Sequence, residues 1–95
     1  SVITDKIMER IAQTYNVTLA DIKSDKRQAK ITLARQISMY VIKEVTDLTL
    51  KEIGEIFDKN HSTVLHSLKC AEEKMQESAS VKLLVINTIK EFQEK

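Results

Sequence analysis

An all-α fold, a compact bundle of about five to six helices, is predicted by three observations. Proline is absent and glycine occurs once, so the tight turns of a sandwich or barrel have almost no residues to make them. Apolar side chains recur at helical spacing along most of the chain. The breaks between those stretches carry helix-capping residues rather than hairpin turns. The 95 residues are one domain's length. At 42% hydrophobic and 31% charged, the composition supports a core and excludes a disordered chain. No run approaches the ~20 apolar residues that span a bilayer.

The first helix is expected over about 3–15, with Ile3, Ile7, Ile11 and Tyr15 at helical spacing and Met8 and Ala12 widening the stripe. Asn16 is a plausible stop because Asn tolerates the left-handed conformation. Thr18 and Asp21 form a capping box for a short turn over 19–22. Residues 23–30, "KSDKRQAK", hold one apolar residue, so a solvated loop or frayed helix start is expected. A longer helix follows over about 29–46. Ile31, Ala34, Ile37 or Ser38, Val41, Val45 and Leu48 trace its buried face, and Met39 and Ile42 mark a second covered side. Thr49 with Glu52 makes a second capping box before a short helix over 50–57, whose Leu50, Ile53, Ile56 and Phe57 are apolar. Asp58, Lys59 and Asn60 break it. The next helix, 61–77, carries the stripe Val64, Leu68, Ala71 and Met75. Ser78, Ala79 and Ser80 read as turn and cap, and a last helix over 81–94 turns Val81, Val85, Ile89 and Phe92 inward.

The net charge of +1 conceals a strong asymmetry. Residues 23–43 carry +5 and residues 44–58 carry −4. The basic block is a candidate anion-binding surface. Other chemistry is poorly supported. His61 and His66 are five apart rather than four, with no further ligand at suitable spacing, so no metal is expected. Cys70 is the one cysteine; it excludes an internal disulfide, suggests a reducing compartment, and reads as a half-buried structural thiol. No G-x-x-x-x-G-K-[ST] phosphate loop occurs, and no nucleophile–base constellation is recognisable. The acids of the final helix match its lysines, against a membrane-surface role.

The most informative stretch is "TLKEIGEIFDKNHSTVLHSL", residues 49–68. A short helix, a three-residue break and a longer helix form the arrangement that places a second helix in the DNA major groove. Gly54 inside the first helix costs about 1 kcal/mol in propensity relative to Ala; close approach of the second helix, with Val64 wedged against the first, accounts for it. A helical hairpin in an ordinary bundle fits the same pattern. The start of the second helix favours the first reading. Lys59, Asn60, His61, Ser62 and Thr63 are polar and free of acids, which suits base-edge and phosphate contacts. Asn60 also serves simply as an N-cap.

"ARQISMYVIKEVTDLTLKEIGEIFDKNHSTVLHSLKCAEEKM", residues 34–75, resembles the C-terminal DNA-binding domain of the DnaA family of bacterial chromosomal replication initiators. The resemblance continues upstream through "TYNVTLADIKSDKR", residues 14–27, to the first helix. It is carried by Arg35-Gln36, by Lys43-Glu44 with Thr46, by "EIG…F" at 52–57 and by "HSTVLH" at 61–66, in the family's order and spacing. It implies a helix-turn-helix bundle related to the Trp repressor, and sequence-specific binding to double-stranded origin boxes of the TTATNCACA type. It implies that Arg27 enters the minor groove, and that Arg35, Gln36 and Lys43 hold phosphates. Asn60, His61, Ser62 and Thr63 then face the major groove, with Lys59 and Lys69 adding charge nearby.

The family usually has Arg-Asp-His where this chain has Lys59-Asn60-His61, and Ala-Arg-Pro-Arg-Gln where it has residues 32–36, "TLARQ". Asp accepts a hydrogen bond from cytosine, whereas Asn can donate as well as accept, so weaker or altered specificity is expected. No cofactor is expected in this segment; ATP belongs to the full-length proteins of the family. Ser1 in place of an initiator methionine leads us to expect a single-domain C-terminal fragment of a longer initiator, cytoplasmic and nucleoid-associated, monomeric, and without a membrane partner. Two rivals are a helical protein-interaction module that uses its acidic 44–58 face, and a dimeric helix-turn-helix repressor on palindromic half-sites.

Overall fold

The computed structural model describes residues 2–93. Six helices follow one another: α1 (Val2–Tyr15), α2 (Leu19–Lys23), α3 (Ala29–Val45), α4 (Leu50–Phe57), α5 (His61–Glu77) and α6 (Ala79–Phe92). No strand is present among the described residues. The molecule measures 34 × 29 × 23 Å.

Each helix ends where local chemistry makes it end. α1 stops at Asn16, whose φ is 55°. There the Val17 N–H donates to the Ala12 carbonyl at 3.0 Å and the Asn16 N–H to that of Gln13, the paired bonds of a Schellman motif. Thr18 and Asp21 make their capping box around the start of α2, and Thr49 and Glu52 make theirs at α4. α4 closes through a second Schellman motif, with Asp58 left-handed and the Lys59 N–H donating to the Gly54 carbonyl at 2.8 Å. α6 begins two residues earlier than its apolar pattern suggests. Ser78 is the C-cap of α5 and the N-cap of α6 at once, so the expected three-residue turn shrinks to one residue. The helix closes at Phe92; position 94, where its end was expected, lies outside the described residues.

α3 packs against every other helix. That explains why Ile31, Ala34, Ile37, Ser38, Met39, Val41 and Ile42 are all buried, a wider girdle than one stripe provides. Val45 and Leu48, expected inside, are half-buried because the helix ends there. Ile7, Met8 and Ile11 from α1, Ile22 from α2, Ile53 and Phe57 from α4, Val64 from α5, and Val81 and Val85 from α6 complete the core. Fully burying one such side chain contributes about 1.5–3 kcal/mol.

Gly54 is buried between α4 and the turn that follows it. A Cβ there would fall inside contact distance of the Lys59 carbonyl oxygen and 3.5 Å from Val64 Cγ2. The close helix approach inferred from this glycine is therefore a geometric fact, and it involves the turn backbone as well as Val64. The single methyl of Gly54→Ala would already clash, so alanine is not the neutral replacement that its helix propensity suggests.

Candidate nucleic-acid interface

The loop between α2 and α3, residues 24–28, contains no apolar residue, so burial cannot fix it. Hydrogen bonds do. Arg35 reaches up from α3, and its Nε donates to the Ile22 carbonyl at 2.8 Å. Its Nη2 donates to the carbonyls of Asp21 at 3.2 Å and Lys26 at 3.1 Å. The residue is only 9% exposed. Burial pulls its guanidinium below the usual value, opposed by the nearby Asp25 charge, but Arg remains a cation. Ser24 adds a small turn: its Oγ donates to the Asp21 carbonyl at 2.6 Å and accepts from the Lys26 N–H at 3.1 Å.

This geometry gives Arg35 a structural part that its sequence pattern does not show. Its Nε and Nη2 are committed to three backbone carbonyls that shape the loop, while the residue still borders the cleft beside Gln36. The loop departs from a freely solvated segment. Its side chains are mostly exposed, yet its backbone is held at two points.

The other arm of the site is the turn Asp58, Lys59, Asn60 and the start of α5. Asn60 caps α5, with its Oδ1 accepting the Thr63 N–H at 2.9 Å. His61, Ser62 and Thr63 are exposed on the first turn. Lys59 forms an ion pair with Asp25 of the loop, joining the two arms directly. The hydrogen bond from Lys59, aided by its charge and by Arg35 and Arg27, holds the Asp25 carboxyl below the usual carboxylate range. Lys26 and the Thr18 backbone do the same for Asp21.

Loop, α3 and α5 enclose an open cleft of about 690 Å³. Arg27, Gln36, Lys59 and Thr63 line it, and Arg35 stands at its back. Thus the structure gathers five of the sequence-predicted residues around one cleft. His61, Ser62 and Lys69 lie along the adjoining outer face of α5. Lys43 is exposed near the end of α3. It is two turns beyond Gln36 on the same face, about 10 Å along the axis, and outside the cleft.

Sequence reasoning missed Leu65 and His66. Leu65 is 57% exposed, set among His61, Ser62, His66 and Lys69. The signal was present: Leu65 falls off the Val64–Leu68–Ala71 stripe and so faces outward. His66 lines the cleft, and its Nε2 lies 3.4 Å from Cys70 Sγ. Cys70 is half-buried, as expected of a structural thiol. No cluster of three metal-ligating side chains occurs among the described residues, and no described helix is long and apolar enough to cross a membrane.

A capped short helix, a three-residue turn pinned by glycine, and a longer helix with a polar, acid-free first turn define a helix-turn-helix module of the nucleic-acid-binding class. The family described as "Bacterial dnaA protein helix-turn-helix" matches residues 4–70. Over 75 residues the chain is 40% identical to the chromosomal replication initiator protein DnaA of Caldanaerobacter subterraneus subsp. tengcongensis, covering 79% of this chain and 17% of that protein. It is 42% identical over 80 residues to the protein of the same name from Limosilactobacillus fermentum, covering 83% of this chain and 18% of the other. A solved structure described as a DNA replication initiation factor superposes with a TM-score of 0.80 at 32% identity, over 95% of this chain and 29% of that one. The chain belongs to the bacterial DnaA helix-turn-helix family. It corresponds to the family's helix-turn-helix domain and not to its ATPase region, and it spans less than a fifth of the length of these two relatives.

Proposed function

We propose that the chain binds double-stranded DNA sequence-specifically at replication-origin boxes of the TTATNCACA type, and so serves the initiation and regulation of chromosomal replication. The cleft that sets Arg27 and Gln36 opposite Lys59 and Thr63 carries this reading. A recognition helix in the major groove brings such a loop over the neighbouring phosphates and into the adjacent minor groove.

In this reading Arg27 enters the minor groove, where a narrow A·T tract attracts a guanidinium. Gln36 and Lys43 hold phosphates along α3. Asn60, His61, Ser62 and Thr63 meet base edges and phosphates in the major groove, and the exposed apolar Leu65 suits a thymine methyl. Lys59 and Lys69 add positive charge. Arg35 shapes the loop and, from the back of the cleft, adds its charge toward phosphate. The domain works as a monomer without cofactor or catalysis, in the cytoplasm and on the nucleoid, with no membrane partner. ATP is handled by another part of a longer initiator.

Fluorescence anisotropy against a box duplex and a scrambled duplex, at about 50 and 200 mM salt, tests this. Tighter binding to the box, with both affinities falling steeply as salt rises, is the expected result. Equal and salt-insensitive affinities would overturn it.

A further inference from the structure

The cap at the start of α5 fixes more than the helix end. Asn60 Oδ1 accepts the Thr63 N–H at 2.9 Å. A backbone N–H only donates, so the branch of the amide that faces it must be the oxygen. The other branch, Nδ2, diverges from the first turn on an exposed residue. It carries two N–H donors and no acceptor. With Oδ1 turned inward to the Thr63 N–H, the outward branch of Asn60 meets a partner as a donor. Its neighbours reinforce this. Lys59 is a cation, and residues 61–63 include no carboxylate.

The major-groove edges of the four bases respond differently to such a group. Guanine offers two acceptors, O6 and N7. Thymine offers O4, and adenine offers N7 beside an amino donor. Cytosine offers only its amino donor. Resting on the reading of this chain as a reader of duplex DNA, we propose that Asn60 selects an acceptor edge at the base it faces, guanine foremost, and discriminates against cytosine. An aspartate in the same place would cap through one oxygen and turn the second outward as an acceptor, so it would favour the cytosine amino group. Exchanging one outward atom reverses the preference while leaving the cap intact.

The test uses the box duplex and all its single-base-pair variants, with binding measured by anisotropy at one salt concentration for the parent and for Asn60→Asp. At one box position the parent is expected to bind the duplex presenting guanine at least about fivefold more tightly than the one presenting cytosine. Asn60→Asp should reverse that order there and share the parent's ranking elsewhere. Melting temperatures within a few degrees of each other show that both side chains cap the helix. Identical rankings for the two proteins at every position would overturn the proposal. So would a parental preference for cytosine at the position that responds, which would point to Asp58 as the acceptor. A parent that does not distinguish box from scrambled duplex overturns the underlying DNA-box reading and this inference together, and that result is visible before any variant is compared.

Discussion

Two surface segments present the proposed DNA-binding face, and they are held in opposite ways. The α4–α5 turn is anchored by apolar contact on both sides. Ile53, Phe57 and Val64 are buried beneath it, Gly54 admits the Lys59 carbonyl, and a Schellman motif and an N-cap close its backbone. Residues 24–28 have no apolar side chain, and their course depends on polar contacts: chiefly the buried guanidinium of Arg35, with the Ser24 turn and the Asp25–Lys59 pair beside it. The contrast teaches where each arm is vulnerable. The turn shares its anchorage among many contacts and fails chiefly by overcrowding. The loop rests on a few hydrogen bonds, most of them from one side chain, and fails by that side chain's removal.

Overcrowding the turn gives the largest expected effect. Gly54→Leu should lower stability by at least about 3 kcal/mol, because it displaces the turn backbone as well as Val64. In a domain of this size each kcal/mol is worth roughly 4–8 °C of melting temperature. Gly54→Ala should also melt below the parent, by about 1–2 kcal/mol: clash with a backbone carbonyl outweighs the roughly 1 kcal/mol gained in helix propensity. Thermal melts followed by circular dichroism check both, and an alanine variant melting above the parent would refute the close approach.

Next is the loop's anchor. Arg35→Lys keeps the charge but loses the planar fork, leaving the Ile22 carbonyl without its buried donor. A loss of about 2–3 kcal/mol in stability is expected, with the box-over-scrambled ratio falling alongside. If Arg35 served mainly as a phosphate contact, lysine would preserve most of the binding and all of the stability. Arg27→Ala acts on recognition alone. It should weaken box binding by about 1–2 kcal/mol, most at the A·T-rich end, while the melting temperature holds. An unchanged ratio of box to scrambled binding would remove Arg27 from the minor groove.

The smallest effect belongs to the link between the arms. Asp25→Asn releases Lys59 toward phosphate, so the salt dependence of DNA binding should steepen by about one charge. The same pair sets a pH sign. Asp25 is held below the value of about 3.9 for a free Asp, so its ion pair contributes above that value and is lost as pH falls through the lower folded one. The parent should therefore lose slightly more stability than Asp25→Asn on acidification from pH 5 to pH 3, measured by paired melts.

The same contrast explains what was legible in the sequence. Helices α4 and α5 and their turn were placed to the residue, because apolar spacing, Thr49–Glu52, Gly54 and Asn60 all point the same way. The other helices were placed within two residues at each described end. The role of Arg35 was not legible. A buried Arg and an exposed Arg look alike in a basic run, and its acceptors are backbone carbonyls that carry no sequence signature. The orientation of the Asn60 amide was hidden for a related reason. A sequence gives a side chain's atoms, but only a hydrogen bond decides which atom faces inward.

The central position of α3 has a consequence for motion. Because it touches all five other helices, its interior amides are expected to exchange with solvent only when the whole domain opens. Residues 24–28, suspended at its N-terminal end by hydrogen bonds, can open locally at far lower free energy. The arm proposed to enter the minor groove would thus adjust to a duplex while the domain beneath it stays folded.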